Sequence, residues 1–318
     1  MHYRKFGNTD LEVSEICFGP MRFAATAPGA DELSATGKRA LERALERGVN
    51  FIHSSYEYGT RWAVGQVLKN HPQRAAVHHI IKVPVPDFDD GGTFDAAKFR
   101  LRVEEALRDL HAERIAVLQH LQRARPNEDA HRIPQVPRVC DAMLETFEKL
   151  QDEGKVGYLT TFPYSPGFAA AALQSGAFSG MVAYYNPIEM EMAEYFPGME
   201  EKGRGFFCIR PFMGGLLTDR RAQRNRLPQA DRCRRESWDA AYARMALLQE
   251  AFGAQLESWT SFAVRFALIH PIVTSLIVGL NTPAQVDEVL DAAAGKGLER
   301  AAFERAQEIF RARGMVAS

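Results

Sequence analysis

The chain has 318 residues, 46% of them hydrophobic and 25% charged, with a formal net charge of −1. That composition belongs to a globular protein with a full core, and the length allows either about two ordinary domains or one α/β barrel. The near-neutral charge argues against nucleic acid as a partner, and no apolar stretch approaches the roughly 18 residues that cross a bilayer.

Residues 3–13, with turn residues Asn8-Thr9-Asp10, are predicted to form a hairpin ahead of the main fold. A first strand at 14–19 leads to a helix with Ala40, Leu41, Ala44 and Leu45 on one face and Gly48 just past its end. The next strand, 50–54, runs into the polar stretch Ser55-Tyr56-Glu57-Tyr58-Gly59. Strands are then predicted at 78–83, 114–120, 156–161, 180–185, 205–210 and 274–279. Helical periodicity lies between them, as in Phe99, Val103, Ala106, Leu107 and Leu110, or Val139, Met143, Phe147 and Leu150 before Gly154. Eight strand–helix units predict a parallel sheet closed into one (β/α)8 barrel over 1–318. No G-x-G-x-x-G follows the first strand, against a Rossmann fold. The connection at 211–235 is long, so it is expected to be either functional or disordered. Cys17, Cys140, Cys208 and Cys233 lack metal or C-x-x-C spacing and read as reduced thiols of a cytoplasmic protein. Met1 to Lys5 leads into no apolar run, so no signal peptide is expected.

Barrels carry their chemistry at the carboxyl ends of the strands. Those ends present His53 and Tyr58, Lys82, His120, Asn186 and Arg210. Each has a plain structural reading. Lys82 and His120 end apolar runs from which a basic residue often only reaches solvent. Tyr58 can be a packed ring, Asn186-Pro187 a turn, and Arg210 half of a surface ion pair. Several of them converging on one mouth favours a site. His53 and His120 lack a carboxylate as a third ligand, so no metal is expected.

In their order these residues resemble the aldo-keto reductase superfamily. In Phe51-Ile52-His53-Ser54-Ser55-Tyr56-Glu57-Tyr58-Gly59 the last eight residues align without gaps to that family's F-D-T-A-x-x-Y-G, His53 falling on the aspartate. Lys82 matches its strand-three lysine and His120 its strand-four histidine, and Gly215-Leu216-Leu217-Thr218 and Ile277-Val278-Gly279 resemble further signatures. The resemblance spans nearly the whole chain. It implies hydride transfer between NADP(H) and a carbonyl or the matching alcohol, with Tyr58 as general acid, Lys82 tuning it and His120 orienting the carbonyl. A phenol with pKa near 10 relays protons poorly at neutral pH, and a nearby ammonium lowers it. The cofactor positions implied are Phe162, Asn186, Arg210, Leu216, Thr218, Arg220, Gly279, Asn281, Thr282, Gln285 and Glu288. Phe18, Met21, Tyr56, Trp62 and Phe162 are candidates for an apolar substrate pocket, Glu189 and Arg235 for a polar one. The substrate and the oligomeric state are not readable.

The pattern also departs from the family. Its aspartate, partner of the lysine, is His53 here, which predicts a more positive pocket and an easier phenolate at Tyr58. Two readings of His53 stand: a tolerated replacement accepting a hydrogen bond from Lys82, or a residue adapted to another reaction. Phe162-Pro163 replaces the Ser-Asn that holds the carboxamide, Val182 the glutamine on strand six, and Ile209 or Arg210 the stacking aromatic. The arginine that often grips a 2′-phosphate is missing. Against these losses, seven arginines (220, 221, 224, 226, 232, 234 and 235) crowd the loop after strand seven. Guanidinium suits phosphate through its planar fork; the alternative is a solvated loop paired with Asp219, Asp231 and Glu236. A redox-free lyase, epimerase or dehydratase, with Tyr58 and Lys82 working between the two histidines, is the rival function. A non-catalytic binding barrel is a third class.

Overall fold

The computed structural model describes residues 1–21, 34–253 and 255–313. Strands β1 (Tyr3–Lys5) and β2 (Glu12–Ser14) form the expected antiparallel hairpin. Then follow β3 (Ile16–Gly19), α1 (Ala35–Glu46), β4 (Phe51–Ser55), α2 (Arg61–Leu68), β5 (His78–Pro84) and α3 (Ala96–Leu110). The middle of the barrel is β6 (Ile115–Leu121), the short α4 (Asp129–Arg132), α5 (Val136–Asp152), β7 (Val156–Thr161) and α6 (Pro166–Ser175). The chain ends with β8 (Gly180–Tyr184), α7 (Phe196–Glu201), β9 (Gly205–Ile209), α8 (Asp239–Phe252), α9 (Trp259–Leu268), β10 (Val273–Gly279), α10 (Pro283–Ala294) and α11 (Arg300–Arg311). Strands β3 to β10 pair in parallel, in chain order, and β10 closes on β3. The predicted (β/α)8 barrel is present.

Local chemistry starts and stops the helices. Ser34, Asp95, Ser165, Ser258 and Thr282 each accept a hydrogen bond from a backbone N–H of the first turn, a cap that contributes about 1 kcal/mol. Gly154 ends α5 in the left-handed region at φ 75°.

Two apolar layers result from the alternation of side chains along each strand. The inner cluster holds Cys17, Phe51, Ile80, Val117, Val182, Phe207 and Ile277; the outer one, against the helices, holds Phe18, Ile52, Ile81, Leu118 and Met181. The hairpin plugs the floor. Phe6 stacks on Phe207 at 4.4 Å, and Phe207 in turn packs against Phe51 at 5.0 Å. Glycine is required at 205, where a Cβ would collide with the Phe6 ring. With the amino-terminal end filled, only the carboxyl ends are left to open a site.

Connection 211–235 is ordered by short 3-10 turns at Met213–Gly215, Arg224–Arg226 and Arg232–Arg234. All four cysteines are buried free thiols. No helix among the described residues is long and apolar enough to cross a membrane.

Candidate active site

Strand β4 runs directly into a 3-10 turn, Tyr56–Tyr58, capped by the Ser55 hydroxyl, which accepts from Glu57 N–H at 3.3 Å. Gly59, left-handed at φ 61°, ends the turn and leaves Tyr58 standing over the barrel mouth. Register pairs Ser55 with Lys82 across β4 and β5, so Lys82 shares the inward face with Ile80. Its ammonium lies 3.4 Å from the Tyr58 hydroxyl and 4.8 Å from the ring centroid. Burial pushes the Tyr58 phenol up from its ordinary value; Lys82 pulls it down and Glu57 pushes it up again, with a net rise.

The predicted excess of positive charge is absent. Lys82 Nζ is 3.0 Å from Glu57 Oε2, so the carboxylate missing from position 53 is supplied from the turn. Arg123, two residues beyond β6, grips the same carboxylate through two nitrogens, at 2.7 and 3.3 Å. Burial alone would raise the Glu57 carboxyl, but Arg123 and Lys82 outweigh it and hold it at about 2. Arg123 also donates to Asp87 at 3.2 Å and to the Tyr164 hydroxyl at 3.0 Å, and Tyr56 donates to Asp87 at 3.0 Å. The easier phenolate expected from the sequence is thereby overturned, because a negative charge does stand beside Tyr58. Neither Glu57 nor Arg123 was singled out from the sequence.

The two histidines part company. His53 faces inward and its Nε2 lies 2.9 Å from Gln119 Oε1, so its partner is Gln119 and not Lys82. Burial drives its imidazole down to about 4, with Lys82 adding to the fall against the Gln119 bond, and it is neutral at pH 7. Strand β6 pairs Gln119 with Lys82 and His120 with Val83, a residue of the outer layer. His120 therefore points away from the mouth. It donates from Nε2 to the Val85 carbonyl at 2.9 Å and stacks on Phe178, 5.9 Å away, in the outer core. Its expected role against a carbonyl is corrected by a register of one residue, since the side-chain period of a strand is two. Gln119, Leu121 and Arg123 occupy the inward parity instead.

The opposite side of the mouth is aromatic. Phe162 packs edge-on against Tyr164 at 4.8 Å and Tyr184 at 5.4 Å. The Arg210 guanidinium lies 4.6 Å over the Tyr184 ring, beside Met213 Sδ at 2.6 Å and Glu189 at 3.7 Å. Asn186 is fully buried and its amide is saturated: it donates to Glu189 and the Arg210 carbonyl and accepts from the Ile188 and Glu189 amides. That leaves it a turn residue with no group free for a carboxamide. Thr218 donates to the Gly215 carbonyl at 2.7 Å, Leu216 is buried, and Arg220 is exposed on the connection after β9. Gly279 ends β10, Thr282 caps α10, Gln285 Oε1 accepts from Asn281 N–H at 2.9 Å, and Glu288 accepts from Thr260 at 2.7 Å. Among the described residues Arg221 and Arg224 pair with Asp231 and Asp239, while Arg220, Arg226 and Arg235 have no carboxylate partner.

Of the pocket candidates, Phe18 lies wholly in the outer core and is corrected to a packing residue. Trp62 donates to the Gly59 carbonyl at 2.9 Å and packs against the same layer. Tyr56 is tied to Asp87 under Arg102, and Met21 is exposed.

Among curated proteins, the uncharacterized oxidoreductase YrpG of Bacillus subtilis is 25% identical, covering 92% of this chain and 91% of its own. L-galactose dehydrogenase of Arabidopsis thaliana is 23% identical over 90% of this chain and 86% of its own. Among solved structures, the holo form of aldo-keto reductase AKR11C1 from Bacillus halodurans superposes with a TM-score of 0.75 at 23% identity, over 97% of this chain and 96% of that one. The glycerol dehydrogenase AKR11B4 of Gluconobacter oxydans gives 0.71 at 21%, over 99% and 97%. The Aldo/keto reductase family model matches residues 15–310, and the chain belongs to that family.

Proposed function

We propose that this protein is an NADP(H)-dependent oxidoreductase interconverting a carbonyl and an alcohol, as a single cytoplasmic barrel domain acting on a small molecule. The observation that carries the proposal is the Lys82 ammonium 3.4 Å from the Tyr58 hydroxyl at the barrel mouth. Tyr58 gives its proton to the developing alkoxide, Lys82 stabilises the phenolate left behind, and neutral His53 borders the reacting centre from β4. When bound, the dinucleotide supplies the hydride. At its phosphate end the chain's residues fit it: Arg220, Arg226 and Arg235 are exposed and without carboxylate partners among the described residues. The family relatives named oxidoreductase or dehydrogenase support the reaction class.

A second reading is favoured by one observation. The positions expected to hold the carboxamide carry the packed Phe162 ring and the saturated Asn186 amide. A redox-free lyase, epimerase or dehydratase would need only Tyr58, Lys82 and His53. Titrating the protein with NADPH while following cofactor fluorescence separates the two. Saturation below millimolar, weakening with added salt, is the expected result; no response at millimolar NADPH leaves the redox-free reading.

A further inference from the structure

We infer that Glu57 is the positioning carboxylate of the Tyr58–Lys82 couple, clamped by Arg123, and that this turn residue sets the pH range over which Tyr58 transfers a proton. The inference deepens the proposed function and rests on its assignment of Tyr58 as the proton donor. Glu57 reaches Lys82 at 3.0 Å from the residue next to Tyr58, so carboxylate, ammonium and phenol form one chain at the mouth. Its geometry is imposed from outside the turn. The Arg123 side chain is only 9% exposed, and its nitrogens hold both Glu57 oxygens, Asp87 and Tyr164. A guanidinium fixed along every edge cannot follow Glu57 if the carboxylate swings away, and a bidentate grip fixes orientation as well as position.

Three charged groups bear on Tyr58, Lys82 on β5, Glu57 on its own turn and Arg123 after β6, and the neutral imidazole of His53 on β4 faces its ring at 5.9 Å. Among them Glu57 is the negative one. Its carboxylate raises the phenol and also draws the Lys82 ammonium away from it, so both effects have the same sign. The inward position 53, where family members carry the lysine's partner, holds an imidazole bonded to Gln119. Carboxylate function has moved from the strand to the turn.

Glu57→Gln should lower the Tyr58 midpoint by about one pH unit. The difference between tyrosinate absorbance titrations of the protein and of its Tyr58→Phe form isolates this one phenol among 9 tyrosines. The titration uses neither cofactor nor substrate. It can therefore succeed even if NADPH does not bind, in which case the oxidoreductase reading fails and the inference stands. Where carbonyl reduction is measurable, the alkaline limb of its pH profile should move down by the same amount. The double variant His53→Asp with Glu57→Gln should return the midpoint most of the way. If Glu57→Gln does not fold, Glu57→Asp, which withdraws the charge by one methylene, should give a smaller shift of the same sign. A midpoint that stays within about 0.2 unit in the folded variant would overturn the inference. So would a double variant that does not recover.

Discussion

The mouth of the barrel has two unlike halves. Between β4 and β6 it is a closed network of opposite charges, Lys82–Glu57–Arg123–Asp87, with Tyr58 at one end. Between β7 and β9 it is a cluster of edge-packed rings, Phe162, Tyr164 and Tyr184, backed by the Arg210 guanidinium. The first half keeps a phenol, an ammonium and a carboxylate in contact although the carboxylate comes from the turn and not from position 53. The second keeps none of the three polar side chains expected around a carboxamide, with Phe162, Pro163 and Val182 in their places. Acid–base chemistry constrains charge at a point, and charge can be delivered from a neighbouring turn. Amide recognition constrains donors and acceptors in a plane, and a ring cannot replace them. If the family reaction persists here, the halves contribute separately, and substitutions in each should fail differently.

The largest effect belongs to the charged half. Tyr58→Phe removes the hydroxyl and keeps the ring, so turnover should fall by about 10²–10⁴-fold with the unfolding temperature unchanged, the usual size of general acid catalysis. A loss below about tenfold would remove Tyr58 from that role and with it the distinction between the halves. Arg123→Met comes next and acts on stability. It leaves Glu57 and Asp87, 27% and 19% exposed, without the cation that binds both. Breaking a buried charge network by removing one partner costs about 3–5 kcal/mol; the residual exposure and the remaining Lys82 place the expectation near the lower end. Urea unfolding at pH 7 measures it, and a loss under about 1 kcal/mol would mean the network is a solvated surface feature.

How much of this was legible beforehand depended on alternation. Hairpin, strand order and barrel follow from turn residues and apolar runs, and Tyr58 with Lys82 from a polar turn after one strand and a basic residue inside the next. The face of β6 was not readable. All seven of its residues are buried, so no polar–apolar alternation marks which are inward, as is usual for parallel strands covered on both sides. His120 was placed by type and not by parity, and it lands in the outer layer. Counting by twos from Gln119 reaches Leu121 and Arg123, which would have found the clamp. Glu57 was hidden differently, since it lies within the quoted motif at a position the family pattern leaves open. Its role depends on Lys82 and Arg123, 25 and 66 residues away in sequence.

A smaller effect tests the aromatic half. Tyr184 is 36% exposed, with Arg210 over its ring and Phe162 against its edge. If this ring cluster is the surface against which a nicotinamide lies, Tyr184→Ala should weaken NADPH binding by about two- to tenfold, the yield of one aromatic contact. Tyr58→Phe should leave binding unchanged. Equal losses from both variants would erase the division between halves.

The smallest effect on activity is expected at His120, and it checks that the charged half stops where the register says it does. Because His120 faces Phe178 and the Val85 carbonyl, His120→Phe should keep turnover within about twofold while leaving that carbonyl without its donor, at about 1 kcal/mol. Its signature lies in acid. Burial holds His53, His79 and His120 each at about 4, below the ordinary 6.5. As pH falls from 6.5 towards 4 the unfolded chain takes up protons that the folded chain refuses. The stability contributed by neutral imidazoles is therefore full above 6.5 and lost across that window, at about 1.4 kcal/mol per pH unit for each histidine. Removing His120 should flatten the slope between pH 6.5 and 4.5 by one proton, so the variant, weaker than the parent at pH 7, should approach or pass it in stability near pH 5. Urea midpoints at the two pH values give the answer without any substrate. An unchanged slope would mean that His120 is solvated in the folded protein, and a loss of turnover above about tenfold would return it to the mouth despite its register.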